Sequence, residues 1–421
     1  MRWIAIFCCF VSLKVMAGHW PASLSVLYQG KPVVLRLVEA APAQPIYSHT
    51  LLGNQGLRVG NRLLVRHQKQ FNFNDRLDGQ YETAIVFELE DRYWSMIVTA
   101  GAEDSLDLLK QLQSTSGIEL VEPDFLQVRL FRQPQDTVLP QTAGRPVREQ
   151  LGVNQWPEKA GQAVNIAVID AAFSLADAAL QPINVKLHYD VDNRHPLPFD
   201  ASSIAESGFD TMHGDANLAT IWSKKAGYTG LAPDANAILL RRDRNWTSDI
   251  LTALQLAFLS HADIVQAAWT LPFTQQALSD ALTFLNENGR NGKGTVIVAA
   301  VGNRKHDLDH SFSLAAQPQV LAVNAESQGR SWPVSGRTIA SQVPVPYQVY
   351  SNVTGEYSLT YSNTSAATAA TTGVLAAVLS VDPLLSAQQV SQLVRQYSRP
   401  VLQAQSLMQR VQPHLRTPES N

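Results

Sequence analysis

Four residues have types and settings suited to chemistry at a carbonyl: Asp170, His213, Asn303 and Ser365, a carboxylate, an imidazole, an amide and a hydroxyl in chain order. Ser365 follows a polar lead-in, LTYSNT, and precedes sixteen small or apolar residues, Ala366 to Val381, closed by Asp382-Pro383. Small side chains at nearly every position predict a helix that runs buried through a packed interior. A hydroxyl at its start shares that place with unpaired backbone N–H groups and the positive end of the helix dipole, which suits a nucleophile whose attack creates an oxyanion. Serine also caps helices there, and capping is the commoner role.

The elements that must position the other three are short apolar strands. Val164 to Ile169, Ala237 to Leu240, Ile264 to Ala268, Val296 to Ala300 and Val320 to Val323 are near-continuous apolar runs, as expected of strands covered on both faces. Helical stretches lie between them, among them Asp249 to Ser260 and Thr274 to Asn288. The alternation predicts an α/β fold, a mostly parallel sheet with helices on both faces, whose ligands bind at the carboxyl ends of strands. Asp170 directly follows the first run. His213-Gly214 precedes a helical stretch, Asp215 to Lys224, and Asn303 ends the run from Val296 with Gly302 beside it for close backbone approach. Each has an ordinary reading by itself: a turn acid, a surface histidine, a Gly-Asn turn. His188, His195, His261, His306 and His310 compete with His213 for any role as a base.

The chain of 421 residues has room for one large domain and a smaller one, and its 45% apolar content is that of a globular protein. Residues 1–17 read as a secretory signal: Arg2, an apolar run from Trp3 to Leu13, and Val15-Met16-Ala17 at its end. Both cysteines, Cys8 and Cys9, fall inside it, so the exported chain is expected to carry no disulfide, cysteine nucleophile or thiolate metal site. Removing Arg2 and Lys14 takes the formal charge from −3 to −5, and no Lys/Arg cluster stands out, which argues against a nucleic-acid partner. The helix after Ser365 is rich in alanine and threonine and ends abruptly, so no membrane span is expected in the mature chain.

Residues 20–131 read as a small α+β domain: strands at Gly60 to Val65, Thr83 to Leu89, Trp94 to Val98 and Ile118 to Phe125, and a helix Asp104 to Leu112 capped by Asp104. Residues 132–147, with Pro134, Pro140, Gly144 and Pro146, read as a linker. Residues 148–400 hold the sheet pattern, and 401–421 form a tail with a possible helix, Val401 to Val411.

Taken together, Asp170 in NIAVIDAAF, His213 in HGDANLATI followed by GLAPDANAILL, Asn303 in GTVIVAAVGN and Ser365 in SNTSAATAATTGVLAAVLSVDPLL resemble the signature blocks of the subtilisin-like serine proteases, in that family's order. Residues 20–131, ending in VEPDF, are similar to the family's propeptides. The resemblance implies an exported serine endopeptidase made as a zymogen. On that resemblance Ser365 would be the nucleophile, His213 the general base, Asp170 its orienting acid and Asn303 the oxyanion donor. It also implies a peptide or protein substrate lying as an extra strand along Val265 to Thr270, lined by Ala268, Trp269, Thr270, Ala300 and Gly302. The first domain would be an intramolecular inhibitor and folding aid.

The chain departs from the family at several flanks. Ala171-Ala172 replaces the usual Thr-Gly, Asp215 the usual threonine, Asn363 the usual glycine, Ala369-Ala370 the usual Pro-His, and Ala268-Trp269-Thr270 the usual Ser-x-Gly. Thr270 is expected to narrow the approach to the pocket, and Asp215 to bring negative charge near His213 or simply to suit the first helical turn. A catalytically weak binding or scaffold protein of the same fold is the alternative. A small-molecule α/β hydrolase lacks its G-x-S-x-G elbow, and nicotinamide binding lacks G-x-G-x-x-G. No cofactor or metal motif is present; Asp190, Asp192 and Asn193 could offer oxygens to a structural calcium, without a recognisable loop spacing.

Overall fold

The computed structural model describes residues 20–130 apart from 42 and 78–80, 144–199 apart from 176, 211–351, and 357–412. The expected signal segment, most of the linker, the stretch 200–210 and the end of the tail lie outside these residues. The chain divides into two compact units: residues 1–132 with 245–255 and 271–281, and the remainder.

The first unit is built on an antiparallel sheet. Its strands are β1 (Ser23–Tyr28), β2 (Lys31–Glu39), β3 (Ile46–Ser48), β4 (Gln55–Gln68), β5 (Glu82–Glu88), β6 (Arg92–Val98) and β7 (Ile118–Arg129), and its helix is α1 (Ala102–Leu112). The order is β1-β2-β3-β4-β6-β5, with β7 also paired to β4. Leu108, Leu109 and Leu112 of α1 bury against Leu63, Val65, Ile97 and Val121 of the sheet, so one amphipathic helix closes one sheet face. The helix cap is Gly101, and Asp104 lies inside the first turn, where an acid suits the dipole. The sequence reading missed β1 to β3: β1 alternates apolar residues with serine, β2 opens on Lys31-Pro32 and carries Arg36, and β3 is three residues long.

The starts of two further helices, α4 (Thr247–Leu259) and α5 (Gln276–Gly292), belong to this unit, and carboxylates of β7 sit on both. Asp124 accepts from the Ser248 N–H at 2.9 Å and the Ser248 hydroxyl at 2.6 Å. Glu122 accepts from the Ala277 N–H at 3.3 Å. An acid at a helix start satisfies donors that have no partner in the helix and lies at the positive end of its dipole. Gln127 makes a two-way amide pairing with Phe273, donating to its carbonyl at 2.6 Å and accepting from its N–H at 3.1 Å.

Burial pushes the Glu122 carboxyl up to about 8 from an ordinary 4.5, with Asp280 adding to the rise and the Ala277 N–H and Arg66 opposing it. Because the folded form holds its proton more tightly, stability from this group is complete below about pH 4.5 and is lost as pH rises through 8. We expect the first unit to lose on the order of a few kcal/mol across that window. Glu122→Gln should flatten the pH dependence of its melting. Identical melting curves at pH 5 and pH 8 for the unaltered protein would remove this account.

The second unit carries the α/β sheet. Its strands and helices up to the sheet centre are β8 (Arg145–Pro146), α2 (Val147–Gln150), β9 (Asn165–Asp170), β10 (Asn184–Asp190), β11 (His195–Pro196), α3 (Thr211–Trp222), β12 (Asn236–Arg241) and β13 (Ile264–Ala267). Then follow β14 (Val296–Ala300), β15 (His306–Asp307), β16 (Val320–Ser327), β17 (Arg330–Ser331), β18 (Val334–Ser335), β19 (Ile339–Pro344), β20 (Tyr347–Ser351), β21 (Tyr357–Tyr361), α6 (Asn363–Val381), α7 (Ala387–Gln396) and α8 (Ala404–Val411). The sheet order is β11-β10-β12-β9-β13-β14-β16-β17, with β19 also on β16. The pairs from β10 through β16, and β16 with β19, are parallel. After β9 the chain passes over to β10, comes back to β12 between β10 and β9, then crosses to β13 on the other side of β9. The crevice beyond the carboxyl ends of β9 and β13 is therefore the topological switch point, where open α/β sheets bind ligands.

Helix α6 is buried from Ala366 to Leu379 on every face, as its small residues require. Gly373 is needed for that packing, since a Cβ there would lie 2.6 Å from Leu231 Cβ. Among the described residues it is the one helix long and apolar enough to cross a membrane, and 83% of its apolar window is buried inside the protein.

Candidate active site

Strand β9 ends on Asp170 itself, one residue later than the apolar run suggested, and its carboxylate is 3% exposed. Helix α3 begins at Thr211, two residues ahead of His213, so the imidazole lies within the first turn and not before the helix. His213 Nδ1 reaches both Asp170 oxygens, at 3.0 and 2.9 Å. Two acceptors on that nitrogen fix its proton there and leave Nε2 as the basic nitrogen. Gly214 permits this approach: a Cβ on it would lie 1.8 Å from the Ala172 carbonyl oxygen.

Asp215 binds the turn that follows Asp170. Its Oδ1 accepts from the Ser174 N–H at 2.6 Å, which holds the turn after Asp170 against α3. Of the rival histidines, His188 is buried in β10 with Nδ1 on the Pro198 carbonyl, and His310 pairs with Asp307.

Ser365 is the third residue of α6, and the helix N-cap is Ser362. The capping reading of Ser365 therefore fails. Asn363 opens the helix with φ of 69°, a left-handed conformation that asparagine tolerates better than most residues. The Ser365 hydroxyl donates to the Ala268 carbonyl at 2.8 Å and makes no hydrogen bond to His213. Ala268 directly follows β13, so the hydroxyl rests on the end of the strand expected to receive substrate.

Asn303 meets the same turn from the end of β14. Its Oδ1 accepts from the Thr364 N–H at 3.1 Å and the Thr364 hydroxyl at 3.0 Å. That orientation commits the amide oxygen to the residue before Ser365, and the NH₂ group carries no hydrogen bond to the described residues. Gly302 has φ of 103°, and a Cβ on it would lie 3.0 Å from the Thr270 methyl. The Thr270 methyl thus packs over Gly302, and Ala300 is buried. Trp269 is pinned by its indole N–H on the Ile169 carbonyl at 2.7 Å, and Arg242 stacks on its ring at 4.2 Å.

The residues named for calcium are engaged otherwise. Arg241, almost fully buried, lies 3.1 Å from Asp190 and 3.3 Å from Asp192, and Asn193 donates to Asp190. A guanidinium occupies the position between these acids, so Asp190, Asp192 and Asn193 do not fit a calcium ion.

Sequence reasoning missed Asn217 and Tyr361. Asn217 stands one turn after His213 on α3 and donates to Asp170 Oδ2 at 2.7 Å. The spacing of four was the available signal, since residues so placed share a helix face. Tyr361 ends β21, donates its hydroxyl to Asn217 Oδ1 at 3.0 Å, and sets its ring edge-on to His213 at 6.2 Å.

Residues 161–411 match the model of the Subtilase family, peptidase S8. The calcium-dependent proteases of Trichormus variabilis and a Nostoc species are each 24% identical to this chain, over 289 and 320 residues, or 62% and 69% of it. Those stretches are 42% and 45% of the two relatives, so the chain spans less than half the length of the curated proteins it matches. Among solved structures, fervidolysin from Fervidobacterium pennivorans aligns with a TM-score of 0.65 at 19% identity, covering 84% of this chain and 61% of that one. The epidermin leader peptide processing serine protease of Staphylococcus aureus aligns with 0.57 at 13%, covering 80% and 94%. The structural likenesses establish a shared fold, and the family match over more than half of the chain establishes that this protein belongs to the subtilase family.

Proposed function

We propose that the protein is an exported serine endopeptidase. The observation that carries this reading is the bidentate approach of His213 Nδ1 to a buried Asp170, with Ser365 in the first turn of α6 beside the end of β13. For attack, the Ser365 hydroxyl swings from the Ala268 carbonyl to His213 Nε2 and gives up its proton as Oγ bonds to the scissile carbonyl carbon. Asp170 balances the imidazolium, which then protonates the leaving amine. The Asn303 NH₂ and the Ser365 N–H donate to the oxyanion. Substrate lies as a strand along Val265 to Thr270, past Ala268, Trp269, Ala300 and Gly302, with Thr270 favouring small residues at the pocket mouth.

The first domain acts as an intramolecular inhibitor and folding aid. Support comes from β7, whose Glu122 and Asp124 supply acceptors to two helix starts and whose Gln127 pairs with Phe273. The named calcium dependence of the two curated relatives does not transfer to Asp190 and Asp192, because Arg241 holds them. A second reading, a binding protein with little activity, draws on the Ser365 hydroxyl resting on Ala268 instead of His213.

A fluorophosphonate separates the two. Attack by Ser365 forms an O–P bond and expels fluoride, so peptide mapping after incubation at pH 8 should find the adduct on Ser365. An unmodified Ser365 after hours of exposure would favour the binding protein.

A further inference from the structure

The Asp170 carboxylate has more partners than the base it orients. Besides His213, it takes the Ala171 N–H at 2.7 Å on Oδ1 and the Asn217 amide at 2.7 Å on Oδ2. Asn217 is fully buried, and its other end accepts the Tyr361 hydroxyl. The amide can sit only one way round. Turned over, its oxygen would face the carboxylate and its NH₂ would face a hydroxyl, losing the better of two hydrogen bonds and adding a repulsion between acceptors. The carboxylate, which can only accept, therefore sets the Asn217 N–H toward Asp170, and the Tyr361 hydroxyl donates to the amide oxygen on the other side.

Tyr361 touches the other members as well. Its ring meets the His213 ring at 86°, and its backbone leads through Ser362 to Thr364 directly into Ser365. Behind it, Tyr347 lies edge-on at 6.0 Å and donates its hydroxyl to the Ala366 carbonyl at 2.7 Å, next to the nucleophile. Tyr347 and Thr220, the next polar residue on the same face of α3, are joined at 3.1 Å.

We propose that Asn217 and Tyr361 are a pair of positioning residues that fix the plane of Asp170 and the tilt of the His213 ring relative to Ser365. The proposal rests on the protease reading above. It accounts for a departure seen in the sequence: alanine at 171 and 172 brings no side-chain donor to the acid, and Asn217 brings one from the opposite side. The N–H on Oδ2 spreads the carboxylate charge and prevents rotation about the Cβ–Cγ bond, so both oxygens stay aimed at Nδ1. Without it, a less solvated carboxylate pulls harder on the imidazolium and the base is protonated at higher pH.

The test uses the full chain and a fluorophosphonate, measuring kinact and KI for Ser365 from pH 5 to 9. Asn217→Val should lower kinact about tenfold with KI unchanged, and move the acid limb of the profile up by about half a pH unit. Tyr361→Phe keeps the ring and should give a smaller loss, about threefold, with the limb shifted in the same direction. Because the hydroxyl acts through Asn217, the double variant should be no slower than Asn217→Val alone. Melting curves check folding, and Tyr361→Phe carries the test if Asn217→Val does not fold. An unshifted limb, or losses that multiply in the double variant, overturns the proposal. An unlabelled parent protein overturns the protease reading, and this proposal with it, and is distinguishable because no variant is then needed to see it.

Discussion

Ser365→Ala is expected to leave the first domain covalently attached to the rest of the chain, whereas the parent protein should separate into two pieces visible by intact mass. The prediction follows from the proposed mechanism, since the only atom removed is the oxygen that must bond to the scissile carbon. In subtilisin, a member of the same family, loss of the nucleophile costs about 10⁶ in turnover, and a loss of that order would hold the variant uncut over any practical incubation. The new N-terminus should fall no later than Gly144. From that residue the described chain packs within the second unit: a Cβ on Gly144 would lie 2.5 Å from the Pro346 carbonyl oxygen, and Arg145 and Pro146 pair with Tyr347 and Gln348. A cut beyond Gly144 would remove a strand from that ladder. If the parent and Ser365→Ala are processed alike, another protease does the cutting and self-maturation is wrong.

Gly214→Ala should strongly destabilise the second unit. By helix propensity alone the change would favour α3 by about 1 kcal/mol. The Ala172 carbonyl oxygen reverses that sign, because it would lie 1.8 Å from the new Cβ, with Phe173 Cδ1 at 3.3 Å behind it. Neither backbone can yield cheaply. Ala172 is held by the Asp215 contact to Ser174 and by β9, and Gly214 by the first turn of α3. We expect a cost on the order of 3 kcal/mol or more, seen as a fall of about 6–12 °C in the melting temperature of this unit. Displacing His213 from Asp170 by even about 1 Å should slow Ser365 labelling on the order of 10². Wild-type melting with wild-type labelling would show that the turn moves aside freely.

The α/β class and the strands that lead to Asp170 and Asn303 were legible in the sequence. Buried parallel strands announce themselves as short apolar runs, and a helix packed on all sides needs small residues throughout. Those are local properties, written residue by residue. The first three strands were not legible, because β3 has three residues and β1 and β2 mix apolar residues with serine, lysine, proline and arginine.

The tertiary structure alone decided the relations among residues distant in the chain. Asp215 stood two residues after His213 in the sequence, and the structure shows it bracing Ser174, since direction around a helix depends on what packs against it. Asp190 and Asp192 could by sequence have offered oxygens to a cation or stood as solvated loop acids, and the structure pairs both with Arg241 from the strand beside β10. Asn217 carried no motif, yet it joins Asp170 to Tyr361 across separations of 47 and 144 residues. Sequence spacing reports which residues share a strand or a helix face. Which faces meet is set by the packing of α3, β9 and β21 around one crevice, and hydrogen bonds between them exist only once that packing is complete.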